Sequence, residues 1–589
     1  MTIHHTPQNL WLDLGSNESA TPAVAQAFPF YIAVALLALF ILPSIFAYGP
    51  WKPDEPYVMG TIASYMQTGD WVVPTLGGEP FLEKPPLFVW VAGMMAALAS
   101  PWLPIEYGAR FAILFFMAVT ALAVGLGARR FWGVSAGRYA VVLLLAQIGL
   151  AQHGRMLISD VSQLAGCAIA LLGFAYVLAQ PRRGGVLIGT GVGIAFLSKG
   201  LLGVGLFAVT ALLLPALPRA GLLWRNRSYA LGLCVAGLAA LPWLSIWPYA
   251  LYQRSSTLFE VWFWQNNIGR FFGFSVNALG AAHQKGHLLE TVPWFTFPAL
   301  PLALWVVWKW RARFVEIAAL QICVVHTLVM LATFGVAASG RVVYLMPMLV
   351  PLALLAVPGM QQLPTAIERF GFRASVLLFS VVMVLLWAAW GALVMPEPLT
   401  LFAQLQARVP ANFSLGFDAL ALLGAAGFSC AWIWLVRAMR HAAGRSVVVW
   451  AGGFISVWGI VFSLLLPWID AEKSYQAVFA SLGAHVPRTA NCIASIGLGE
   501  SERGVLHIAA GRQTLRREVD DKSVVLADGT VRQQLSRDCD VLIVQAKATQ
   551  PAPLVQSSDW RMLWTGARLG ETQERFWLYS RAVSLFLVQ

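Results

Sequence analysis

The residues with chemistry to offer crowd into a few short segments. The first reads Trp51-Lys52-Pro53-Asp54-Glu55-Pro56-Tyr57 and carries two adjacent carboxylates. A second, Gly78-Glu79-Pro80-Phe81-Leu82-Glu83-Lys84-Pro85-Pro86, sets an acid beside a lysine. Arg155, Asp160, Lys199, Arg270 and Arg341 follow at wider intervals. A carboxylate can accept a proton from an attacking hydroxyl, or orient it. Fixed cations favour a transition state in which a departing group gains negative charge. Arginine does so through bidentate geometry, lysine as a point charge.

The elements that must position these groups are membrane helices. Of 589 residues 58% are hydrophobic and 12% charged, with a mean hydropathy of +0.68. A soluble chain would carry about 25% charged residues. Apolar runs occupy 30–47, 108–128, 135–150, 156–179, 184–198, 200–217, 229–250, 291–309, 314–336, 342–359, 374–395, 416–436 and 447–467, about thirteen spans. The run 87–101, bounded by Pro86 and Pro101, is short enough to suit an interfacial or re-entrant helix. A net charge of +12 would raise nucleic-acid binding in a soluble protein. Here the basic residues cluster between apolar runs, so positive-inside topology accounts for them and no nucleic-acid partner is expected.

That bias sets the orientation. Residues 1–29 form a cytoplasmic N-terminal segment without a basic n-region, and the run after it is expected to be retained rather than cleaved. The transmembrane domain is then 30–468, with large outer loops at 48–107 and 251–290 and an outer tail at 469–589. Asp54, Glu55, Glu83, Lys84, Arg155, Asp160, Lys199, Arg270 and Arg341 all fall on the outer side. Any one of them could be an ordinary headgroup-level residue, but ionisable groups gathered at one membrane face point to a site. The tail alternates a helical stretch, Ser474–Val486, with strand-like runs at Cys492–Ile496, Val541–Val544 and Phe576–Tyr579, which predicts a small α/β domain acting as a lid or substrate platform. In an oxidising compartment Cys492 and Cys539 could pair, while the four cysteines in apolar runs behave as small hydrophobes.

The order of these segments resembles the GT-C membrane glycosyltransferases, and within them the branch of lipid A aminoarabinose transferases and protein O-mannosyltransferase relatives. Arg155-Met156-Leu157-Ile158-Ser159-Asp160, Phe196-Leu197-Ser198-Lys199-Gly200, Leu241-Pro242-Trp243, Asn267-Ile268-Gly269-Arg270-Phe271, Val292-Pro293-Trp294 and Arg341-Val342-Val343-Tyr344-Leu345-Met346-Pro347 extend the likeness over residues 30–360. It implies a polytopic α-helical membrane protein of the GT-C fold with a C-terminal periplasmic α/β domain. It also implies a monomer in a bacterial inner membrane, its active site facing the periplasm. The implied reaction is an inverting transfer of a sugar from a polyprenyl (undecaprenyl) phosphate donor to a lipid or glycolipid acceptor in the outer leaflet. Aminoarabinose and lipid A are the leading pair, with another sugar or a glycan or protein acceptor as alternatives.

The resemblance makes Asp54 the first candidate for the catalytic carboxylate, with Glu55 beside it. Lys84, Arg270 and Tyr344 become candidates for the donor phosphate, with Lys199 and Arg341 as second choices. Arg155, Asp160 and Tyr57 would line the acceptor cavity or orient the loop. Glu83 would hold a divalent metal if one is used. Two departures bear on this. The histidine that would complete such a metal site is Gln265 here, a poor ligand, leaving only the loop residues His283 and His287 as substitutes. The arginine usual in the first loop is Tyr57, which opens the identity of the sugar and acceptor. A secondary transporter is the rival reading, but the two halves show no corresponding pair of interrupted segments.

Overall fold

The computed structural model describes residues 28–46, 48–276, 287–338, 340–394, 415–517, 523–525, 531–533, 539–548 and 560–581. His283 and most of segment 1–29 lie outside them. Each apolar run is helical. In chain order the first ten helices are α1 (Phe30–Ile45), α2 (Glu55–Thr68), α3 (Leu87–Ala99), α4 (Ile105–Trp132), α5 (Ala136–Ala146), α6 (Ile148–His153), α7 (Ser159–Val177), α8 (Pro181–Lys199), α9 (Leu201–Ala216) and α10 (Arg227–Arg254). Helices Ala318–Val336, Leu349–Gln361, Thr365–Val394, Ala419–Met439 and Arg445–Leu464 complete the bundle, together with a pair, Leu289–Phe295 and Ala299–Lys309, bent by 95°.

Among the described residues eight helices are individually long and apolar enough to cross a bilayer, or nine with the bent pair as one span. Runs 30–47, 87–101, 135–150 and 200–217 form shorter apolar helices, α3 among them as expected, while 184–198 lies in the 19-residue α8, so the expected thirteen spans are not reached by length and composition. Leu122, Leu212, Leu238, Phe370, Leu377 and Leu420 stand exposed on the outside of the bundle, where only a hydrocarbon solvent would tolerate them. The chain is a multi-pass membrane protein.

The two ends of the bundle differ in character. At one end the basic loops meet. Arg138 donates to the carbonyl of Phe28 at 2.6 Å, Lys309 to Gln362 at 2.9 Å, and the Arg445 amide to Glu368 at 3.0 Å. At the other end the acidic and basic residues of loops 48–107 and 251–290 converge. α2 and a two-residue hairpin, Thr75–Leu76 with Glu79–Pro80, lie there, and the tail packs on top of them.

The tail begins with helices Leu466–Lys473 and Gln476–His485. Its five-stranded mixed sheet runs in the order Leu515–Arg516, Ile493–Ile496, Val541–Lys547, Glu574–Arg581, Trp560–Gly566. The pairing of Ile493–Ile496 with Val541–Lys547 is parallel, and helix Glu500–Ala510 follows the first of these strands. The expected α/β character of the tail is present, and Cys492 is disulfide-bonded to Cys539.

Candidate active site

Asp54 stands at the start of α2, and its carboxylate is buried. Arg341 donates to both oxygens, at 2.6 and 2.7 Å, in the bidentate fork that suits a guanidinium to a carboxylate. The Tyr57 hydroxyl, one helical turn on, donates to the same carboxylate. Lys84 donates to the Tyr57 oxygen and lies 4.0 Å from Asp54. Burial alone would push the Asp54 carboxyl up. The charge of Lys84, the paired Arg341 and the Tyr57 hydroxyl outweigh it and hold the group well below the usual carboxylate range. Lys84, desolvated but facing Tyr57, Glu83 and Asp54, is held firmly in its charged form.

Behind Lys84 a second group of charges closes the loop. Glu83 accepts from Arg270 at 2.9 Å, and Asp160 pairs with Lys199 at 2.9 Å. The Lys199 ammonium rests over the Tyr344 ring, 4.2 Å from its centroid. Gly200 makes the turn between α8 and α9 with φ +74°, and the Leu201 amide donates to Asn267 at 3.1 Å. Asn267 belongs to a π-helix, Val261–Gly269, whose wider turn delivers Arg270 to the cluster.

Two cavities open on either side. The larger, about 340 Å³, has a charged head formed by Glu83, Lys84, Lys199 and Arg270 with Tyr344. It continues along an apolar wall of Leu202, Leu206, Val209, Phe271 and Phe334. The smaller, about 300 Å³, is bounded by Asp54, Arg341, His153 and Met156. A cationic head joined to an apolar channel matches an anionic group on a long hydrocarbon tail, and the buried carboxylate sits between that head and a second, more polar space.

Several expectations take a different form here. Glu55 is fully buried and saturated: it accepts from Arg110 at 2.9 and 3.2 Å, from Tyr48, and from the Trp51 and Leu157 amides. A carboxylate with five donors has no lone pair left for a substrate, so Glu55 anchors the loop instead of serving catalysis. Arg155 lines neither cavity; it donates to the Ala151 carbonyl and sits against Phe40, Trp458 and Phe462. Tyr57, expected to line the acceptor cavity or orient the loop, joins Asp54 to Lys84 and lines neither cavity. Glu83 is occupied by Arg270, and among the described residues no group of three or more His, Cys, Asp or Glu could hold a metal ion. Glu83 with Gln265 does not fit a metal site.

Three contributors escape the sequence reading. Arg110 on α4 is the partner of Glu55, His153 ends α6 at the wall of the smaller cavity, and Glu500 comes from the tail. Glu500 feels Glu83, Lys84 and Arg270 across the tail contact. Desolvation, then repulsion by Glu83, raise its carboxyl to about 7.

Residues 83–247 match the family model described as dolichyl-phosphate-mannose-protein mannosyltransferase. The crystal structure of ArnT from Cupriavidus metallidurans bound to undecaprenyl phosphate superposes with a TM-score of 0.69 at 17% identity, covering 94% of this chain and 98% of that one. Its apo form gives 0.66 at 15%. The fold is therefore that of the GT-C membrane glycosyltransferases. At the level of sequence, the chain is similar to the undecaprenyl phosphate-α-4-amino-4-deoxy-L-arabinose arabinosyl transferase of Pseudomonas aeruginosa strain UCBPP-PA14, 31% identical over 340 residues. That match takes in 54% of this chain and 57% of the relative. The Serratia proteamaculans enzyme of the same name is 26% identical over 375 residues, 59% of this chain and 62% of its own length.

Proposed function

We propose that this protein is an inverting glycosyltransferase that moves a sugar from undecaprenyl phosphate to an acceptor in the outer leaflet, with 4-amino-4-deoxy-L-arabinose as the sugar and lipid A as the acceptor. The observation that carries the reading is the cavity with a Lys84, Arg270 and Lys199 head and an apolar wall, next to the buried Asp54 carboxylate. The donor phosphate sits among those cations, which bind it more tightly as it departs with added negative charge. Tyr344 donates a hydrogen bond to it. Asp54 holds Arg341, Tyr57 and Lys84 in register and orients the acceptor in the smaller cavity. The homologues' names and the undecaprenyl phosphate bound to the similar ArnT support the donor class.

The active site faces the periplasm in this reading. The one-sided basic loops and the Cys492–Cys539 bond support it, since disulfides persist in oxidising compartments. A cysteine at exposed Ser256 should label with an impermeant maleimide in intact spheroplasts, and one at Ala312 only after permeabilisation. The reverse pattern would overturn the orientation.

Tyr57 in place of the usual arginine favours a second version, a different sugar or acceptor on the same machinery. Proteoliposomes holding the purified protein, aminoarabinosyl undecaprenyl phosphate and lipid A decide between them. Modified lipid A, seen by mass spectrometry and absent with Asp54→Asn, is the expected result. Turnover only with another sugar or acceptor would select the second version, and no turnover of any polyprenyl phosphate sugar would sink both.

A further inference from the structure

Asp54 is badly placed to accept a proton. Arg341 occupies both of its oxygens and Tyr57 donates to one of them. Its carboxyl is held far into the ionised range, and so weak a base does little for an O–H nucleophile. The acceptor space contains another group that can do this work. His153 ends α6 and walls the same 300 Å³ cavity as Asp54 and Arg341. Its Nδ1 lies 3.2 Å from the Gly149 carbonyl. A carbonyl only accepts, so Nδ1 carries the proton and the neutral ring keeps its lone pair on Nε2. The Phe295 ring lies against the imidazole, 5.7 Å between centroids. Gly149 permits this approach, because a Cβ there would collide with Phe295.

The surroundings favour a neutral ring that can be charged transiently. Burial is the largest influence and keeps the imidazole below its ordinary value. The groups that face it are Asp160 and Asp54, which would stabilise an imidazolium, and Arg341, which opposes one.

We propose that His153 is the general base of the transfer, taking the proton of an acceptor hydroxyl, or of a singly protonated phosphate, on Nε2. This rests on the transferase reading above. As the acceptor oxygen bonds to the anomeric carbon, the bond from that carbon to the phosphate oxygen breaks. The electron pair stays with the polyprenyl phosphate beside Lys84 and Arg270. The proton ends on Nε2, and the imidazolium passes it to water before the next turnover.

His153→Asn tests the assignment, since its carboxamide can still donate to the Gly149 carbonyl but offers no base. The variant should keep the KM for donor, lose about 10²-fold or more in kcat, and lose the acidic limb of the pH profile of kcat/KM. In His153→Ala, added imidazole should restore part of the rate. Undecaprenyl phosphate binding by both variants verifies an assembled site. An unchanged kcat and pH profile, an effect confined to the KM for acceptor, or no rescue in a variant that still binds undecaprenyl phosphate would each overturn the proposal. A wild-type protein that turns over no polyprenyl phosphate sugar would instead remove the transferase reading, and the base with it.

Discussion

Asp54 and Glu55 are neighbours in sequence, yet their environments separate them completely. Asp54 lies between two cavities with Arg341 paired to both its oxygens and Lys84 4.0 Å away, whereas Glu55 is locked to Arg110 in a pair that is 1% exposed on each side. Removing one member of such a pair leaves an uncompensated buried charge, at about 3–5 kcal/mol. Glu55→Ala should therefore lower the unfolding temperature in detergent markedly, and Arg110→Ala should match it. Asp54→Asn leaves behind an Arg341 that is 32% exposed, so it should lower that temperature less than either while abolishing transfer; a comparable loss of stability in all three would merge the roles. Much of this site was legible because membrane helices carry few ions. Glu83, Lys84, Asp160, Lys199, Arg270 and Arg341 drew notice by standing at one face, and the fold brings them together. Arg110 was not legible, since its partner lies 55 residues away. A signal existed nonetheless: an arginine at the end of a run away from the basic loop clusters, where positive-inside topology does not call for one. Arg155 misled for the opposite reason, because an arginine near an aspartate in sequence turned out to lie among aromatic rings.

The helices themselves were readable from apolar run length, and so was the shortness of α3. Their irregularities were not. The bend of 95° before Ala299, the π-helix at Val261–Gly269 and the break between α5 and α6 leave no mark in apolar run length. The turn at Gly200 shows how such an element sets the site. Its φ of +74° excludes ordinary side chains, and a Cβ would collide with the Asn267 carboxamide. Gly200→Ala should thus displace Asn267, three residues before Arg270. We expect a donor KM raised about tenfold with little change in the acceptor KM, since about 1–3 kcal/mol of strain falls on the donor side. Equal effects on the two substrates would mean that the turn supports the whole fold instead.

Across the whole molecule, composition marked the tail as a separate domain but gave no hint of how it docks. Docking is made by residues hundreds of positions apart. Trp51 donates to Asp470 at 2.8 Å, Ser501 to the Pro53 carbonyl at 2.7 Å, and Arg503 to the Leu76 carbonyl at 2.9 Å, while Lys52 pairs with Glu502. These contacts bring Glu500 within reach of the charges of Glu83, Lys84 and Arg270, and under the proposed function they make the tail part of the donor's electrostatic environment. Glu500 is an acid raised to about 7, so it is neutral below that pH and negative above it. A negative charge beside Lys84 and Arg270 competes with the donor phosphate for them. Donor binding should therefore weaken several-fold as pH rises through about 7, and by reciprocity donor binding should make Glu500 take up a proton. The sugar-linked donor is a phosphodiester, which stays singly charged over this interval, so the titration belongs to the protein. Glu500→Gln should hold the tight, low-pH affinity across the interval and flatten the profile of the donor KM. A slope that survives in Glu500→Gln would assign the titration to another group and detach the tail from control of the donor site.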